Sequence, residues 1–157
     1  MAIVVLRTGR FFPEEDDTHR DLAGTNIKAN EFLNRRLTVE DAADAHLAAL
    51  AAAPAVGFGT FIISAPPPFS PDEAEALLDD APSVIARHFP EAAELYARAG
   101  WRLPLHIDRV YDPSLAERRL GFRCRTDFAA VLRALEQDEE LPFAHDPSYV
   151  SPKEAAV

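Results

Sequence analysis

Two short apolar runs constrain this chain more than any other feature. Ala2–Leu6 is an unbroken aliphatic and β-branched stretch, and Thr60–Ser64 is a second one. Runs of this kind, without strict apolar/polar alternation, are the pattern of strands buried on both faces of a parallel sheet. Between them lies the best helix signal of the sequence. Thr38 is a good N-cap with Asp41 at the third helical position, and Ala42, Ala45, Leu47, Ala49 and Leu50 follow at packing distances. Pro54 and Gly57 end it. The fold class is therefore α/β, helix-rich, with two buried parallel-type strands. A chain that opens on a strand buried on both faces needs neighbours to cover it, so we expect further sequence upstream.

The remaining elements are short. Arg7–Asp21 reads as a polar loop with the acidic run Glu14-Glu15-Asp16-Asp17 at its tip, which has no metal-loop spacing. The pattern predicts a short helix over Asn26–Leu33 and a short strand over Arg35–Val39. Pro66-Pro67-Pro68 is a rigid spacer, and Ser70-Pro71-Asp72-Glu73 is a capping box opening a helix to about Leu78. Further helices are predicted from Pro82, from Pro90 to Gly100, and from Asp112-Pro113 to Gly121. Gly121 suits a left-handed residue after Leu120, with Phe122 as its hydrophobic lid. Leu105–Val110 alternates weakly and suggests a strand. Thr126 is read as the cap of a last helix, Asp127 to about Gln137. Residues 1–137 then form one unit, and 138–157 a loosely attached tail.

At 157 residues and 48% hydrophobic content, the chain has the size and composition of one globular domain. Its net charge of −10 argues against binding to a nucleic-acid backbone as the main task. The sixteen basic residues include only two lysines, Lys28 and Lys153. No segment is long and apolar enough for a membrane span, and the start has no basic n-region for a signal peptide. The single cysteine, Cys124, cannot form an internal disulfide and fits a reducing compartment, so the expected location is cytoplasmic.

Several searches for chemistry fail. The five histidines have no ligand spacing with each other or with Cys124. There is no Gly-x-Ser-x-Gly elbow and no phosphate loop. Gly57-Phe58-Gly59 begins like a dinucleotide turn, but it precedes a strand and lacks a third glycine. Tyr149 and Lys153 satisfy Tyr-x-x-x-Lys, a spacing that works only on one helix face, and Pro152 opposes a helix there.

Three segments carry a family resemblance. They are Val4-Val5-Leu6-Arg7-Thr8-Gly9-Arg10-Phe11-Phe12-Pro13, then Arg35-Arg36-Leu37-Thr38-Val39-Glu40-Asp41-Ala42-Ala43-Asp44-Ala45-His46, and Asp112-Pro113-Ser114-Leu115-Ala116-Glu117-Arg118-Arg119-Leu120-Gly121-Phe122. In that order, over roughly residues 2–137, they resemble the carboxy-terminal half of extended short-chain dehydrogenases of the NAD-dependent epimerase/dehydratase kind. The resemblance implies a substrate-binding half whose Rossmann nucleotide-binding half is absent from this sequence. NAD or NADP is implied for a complete enzyme and none for this chain alone, which lacks the glycine fingerprint and a credible catalytic tyrosine–lysine helix. It implies a small anionic, nucleotide-sugar-like substrate and a Rossmann-half partner or a homo-oligomer. Arg102, ten residues before Asp112, stands where the family places a diphosphate-binding arginine. Arg36, just before Val-x-Asp, is a second such candidate, and Arg10 replaces the family's asparagine after the first strand. No residue is assigned as catalytic. The alternative is a stand-alone binding or interaction module derived from the same family.

Overall fold

The computed structural model describes residues 1–14 and 21–148; the acidic run beyond Glu14 and the Tyr149/Lys153 spacing lie outside the described residues. The order is β1 (Ile3–Thr8), α1 (Gly24–Glu31), α2 (Val39–Val56), β2 (Phe58–Ile63), α3 (Ala74–His88), α4 (Ala92–Arg98), α5 (Ser114–Leu120) and α6 (Phe128–Gln137). β1 and β2 pair in parallel, in register from Ile3 opposite Phe58 to Thr8 opposite Ile63, with α2 as part of the crossover. Arg36 bridges to Arg10 where the two strands diverge, donating no more than a short third rung in place of a full Arg35–Val39 strand.

Two apolar cores sit side by side in the fold. The smaller lies between the sheet, α2 and α5, where Phe61, Ile63, Leu37 and Leu120 are buried and Val4 and Leu6 pack against them. The larger joins α1, α3, α4 and α6 through Phe32, Leu33, Ile85, Tyr96, Phe128 and Val131. Leu141 and Phe143 also pack against it, so part of the segment after α6 lies on the core.

The strands are not covered on both faces. Along β1 the exposed residues alternate with half-buried ones, and Ile3 and Val5 stay 44% and 41% exposed. Opposite them, Phe58 is 73% exposed. With only two strands, and with α2 and α5 stacked on one side, the second apolar face of the pair has nothing over it among the described residues.

Local signals are realised with some changes of partner. Thr38 caps α2 by accepting a hydrogen bond from the Asp41 N–H at 3.1 Å. The Ser70–Glu73 capping box forms, and α3 is broken at Asp80, whose φ of −150° divides it into the two helices expected around Pro82. Asp80 caps the second part by accepting from the Ser83 N–H at 3.2 Å. Gly121 has φ 66° as its place after α5 requires, and Phe122 packs on the smaller core. The cap of α6 is Asp127, which accepts from the Ala130 N–H, and not Thr126. Thr126 instead donates its main-chain N–H to the buried carboxylate of Asp41, which also holds the N–H of Arg125. Leu105–Val110 is not a strand: it belongs to an irregular strap, residues 101–111, that runs alongside α1 and the turn after it.

Candidate functional site

The candidate site is a cleft of about 840 Å³ between α1, α4 and the strap. Its apolar lining includes Ile27, Tyr96, Trp101 and Ile107, and its cations are Arg35, Arg102 and Arg109. Each of these arginines faces a carboxylate. Arg102, whose side chain is 63% exposed, donates to the Asp21 carboxylate at 3.0 Å and to the Asp21 carbonyl at 2.6 Å. Arg109 pairs with Asp108 at 3.2 Å and holds that carboxyl below its usual range by the hydrogen bond it donates. Arg35 pairs with Glu31 at 3.0 Å. Exposed ion pairs such as the first two are worth little and exchange partners readily, so an incoming anion competes on nearly equal terms.

Glu31 organises the inner end. Its side chain is 5% exposed and receives three guanidinium groups: Arg10 Nε at 3.1 Å, Arg35 Nη2 at 3.0 Å and Arg36 Nη1 at 2.8 Å. Arg36 also donates to the Phe12 carbonyl at 2.6 Å. Burial pulls the pKa of Arg36 down, and the adjacent Glu31 carboxylate opposes that shift. Arg36 is thus a buried structural cation at 3% exposure, whereas Arg102 opens on the cleft. Arg10 lies on the Glu31 cluster with a side chain 38% exposed. Of the three arginines the resemblance singles out, the fold gathers Arg10 and Arg36 on one carboxylate and sets Arg102 apart, in the cleft wall.

Three buried polar atoms of the lining residues have no hydrogen-bond partner among the described residues: Asn30 Oδ1, Arg35 Nε and Tyr96 Oη. Burial alone drives the Tyr96 hydroxyl far above the ordinary tyrosine pKa, so it is a neutral donor and acceptor at any physiological pH. The Cys124 thiol, buried near Asp41 and Glu117, is pushed up to about 12 by desolvation first and by those carboxylates second, which makes it unreactive.

Sequence reasoning missed Arg109, Asp21 and the asparagines of α1. The spacing Asn26, Asn30 was the available signal, since residues four apart share one helix face, and Asn34 follows in the turn after α1. The described residues contain no group of three His, Cys, Asp or Glu side chains able to hold a metal ion, and no helix long and apolar enough to cross a membrane.

The Gly57-Phe58-Gly59 turn does not fit a dinucleotide. Gly57 and Gly59 lie at the turn from the C-terminus of α2 into β2, so no helix N-terminus meets a pyrophosphate there. A Cβ on Gly59 would come within 2.7 Å of the Phe61 ring, and the glycine therefore makes room for the protein's own core. No protein-family model, curated protein or solved structure matches the chain.

Proposed function

We propose that this chain is the carboxy-terminal, substrate-binding portion of an NAD(P)-dependent epimerase, dehydratase or reductase of the extended short-chain dehydrogenase kind. Its substrate is a small anionic molecule of the nucleotide-sugar type, and by itself the chain performs no turnover. The observation that carries the reading is the cleft, where Arg102 and Arg109 stand over an apolar lining with replaceable carboxylate partners. Guanidinium groups at a cleft mouth suit phosphate oxygens, which they bind in a planar, bidentate way. Apolar walls suit the base or sugar ring of such a ligand.

The chemistry of such an enzyme needs a nicotinamide held against the reacting carbon and a tuned acid/base group. In the proposed reading both belong to another half, which leaves this chain the work of binding and orienting. The uncovered apolar face of β1 and β2 supports the same reading, since a parallel pair in this fold class is covered on both sides. NAD or NADP then belongs to a partner half that completes the sheet. A second reading, a stand-alone binding module derived from the family, is favoured by the two cores, each built by this chain's own helices and strands.

Calorimetry with a nucleoside diphosphate sugar tests the proposal. Binding that Arg102→Ala weakens at least tenfold supports it. Binding unaffected by that substitution, or turnover with NAD(H) or NADP(H) by the chain alone, refutes it.

A further inference from the structure

The two exposed guanidiniums of the cleft stand on neither a helix nor a strand. Both belong to the irregular strap, where a main chain is ordinarily free to move. Here it is held. The Arg102 N–H donates to Asn26 Oδ1 at 2.9 Å, and Asn26 Nδ2 donates back to the Arg102 carbonyl at 2.9 Å. Asn30 Nδ2 donates to the same carbonyl at 3.0 Å. Asn34 Nδ2 donates to the Arg109 carbonyl at 3.0 Å, and the Tyr111 N–H returns to the Asn34 carbonyl at 2.8 Å. The strap residues gripped by these three side chains are the two arginines that face the cleft, Arg102 and Arg109.

We propose that Asn26, Asn30 and Asn34 are positioning residues: a ladder of amides that fixes the main chain beneath Arg102 and Arg109, so that the pair forms a preorganised clamp for phosphate oxygens. The proposal rests on the anion-binding reading of the cleft. Ordering a mobile strap at the moment of binding costs conformational entropy, and a strap held beforehand avoids that cost. The residue type matters as well. The Asn26 amide satisfies both an N–H and a C=O of the strap and the amides of Asn30 and Asn34 a C=O each, whereas an aspartate could only accept and would compete with the ligand for the guanidiniums. Asn26, at 2% exposure, is too buried to be a ligand contact and acts through Arg102. Asn30 has its Oδ1 buried and unpartnered among the described residues, which leaves one acceptor of the ladder unused by the strap.

The test uses the full chain and inorganic pyrophosphate, with Asn30→Ala and Asn34→Ala as the ladder variants, because both side chains are partly exposed and neither disturbs the buried Asn26 pair. Calorimetry should show each variant binding pyrophosphate about two- to twelve-fold more weakly than wild type, the change that one hydrogen bond of ordinary net strength corresponds to. Nitrogen-15 relaxation of the arginine Nε groups in the ligand-free proteins should show Arg102 more mobile in Asn30→Ala and Arg109 more mobile in Asn34→Ala. Thermal midpoints should stay close to wild type, which separates positioning from general destabilisation. If Arg102→Ala abolishes binding while both asparagine variants keep the wild-type affinity and arginine dynamics, the ladder is overturned and the clamp stands. If the wild-type chain binds no pyrophosphate, the anion-binding reading falls and this proposal with it.

Discussion

Replacing Glu31 by glutamine removes one negative charge from a site where three positive groups converge, and leaves the shape nearly unchanged. The carboxylate is 5% exposed and the nearest guanidinium, Arg36, is 3% exposed at 2.8 Å. Without Glu31, Arg36 keeps the Phe12 carbonyl but has no counter-charge in that pair. Breaking a buried ion pair by removing one partner costs about 3–5 kcal/mol, because a buried charge is left uncompensated. The pairs with Arg10 and Arg35, whose side chains are 38% and 24% exposed, add about 0–1 kcal/mol each. The buried Arg36 pair therefore decides the outcome. Against a total stability on the order of 5–15 kcal/mol, the loss is a large share. Urea unfolding at neutral pH, with the slope compared between proteins, measures it. Arg36→Met should be milder than Glu31→Gln, because it removes the buried cation itself and leaves Glu31 two partners. A loss below about 1 kcal/mol for Glu31→Gln would refute the view that this cluster holds the inner end of the cleft.

Tyr96→Phe removes a buried hydroxyl that has no partner among the described residues, so it should leave stability unchanged or raise it by about 1–3 kcal/mol; a comparable loss would show that the hydroxyl is satisfied. Glu73 should titrate near pH 2, held down first by the hydrogen bond from the Ser70 N–H and next by His88. Its folded pKa lies below the unfolded value, so its contribution is full above about pH 4.5 and is lost as pH falls toward 2; carbon-13 NMR giving a midpoint near 4.5 would mean that the capping box is open. The bare face of β1 and β2 should drive self-association or low stability, and Phe58→Glu should reduce the association with little loss of stability. Light scattering that finds a wild-type monomer with a cooperative, high-temperature melt would contradict that.

Signals that act within a few residues were legible in the sequence. Thr38, the Ser70–Glu73 box, the break before Pro82 and the left-handed Gly121 all depend on local backbone geometry, and each stands in the structure. What depends on distant neighbours was not legible. The apolar composition of Ala2–Leu6 does not say how many strands flank it, so its bare face emerged only from the fold. The weak alternation of 105–110 suggested a strand, but that main chain is held by Asn34 and by contacts such as the Ile107 N–H to the Leu77 carbonyl. Arg36 and Arg102 are equivalent as residue types. Burial against Glu31 makes one structural and leaves the other open to the cleft, and burial is a property of the three-dimensional contacts. Asp41 stands at the third helical position of α2, yet its carboxylate holds the loop before α6, a contact that no local pattern announces.

The proposed function places an anionic substrate in this chain's cleft and the dinucleotide on a partner half. Backbone amide spectra recorded during titration with a nucleoside diphosphate sugar, and separately with NAD and NADP, test it most directly. The account predicts saturable shifts for the sugar nucleotide at Asn30, Trp101, Arg102 and Arg109, shifts that disappear in Arg102→Ala, and no saturable shifts with either dinucleotide. Saturable dinucleotide binding at the turn around Gly57 and Gly59, or sugar-nucleotide shifts confined to residues away from the cleft, would contradict it.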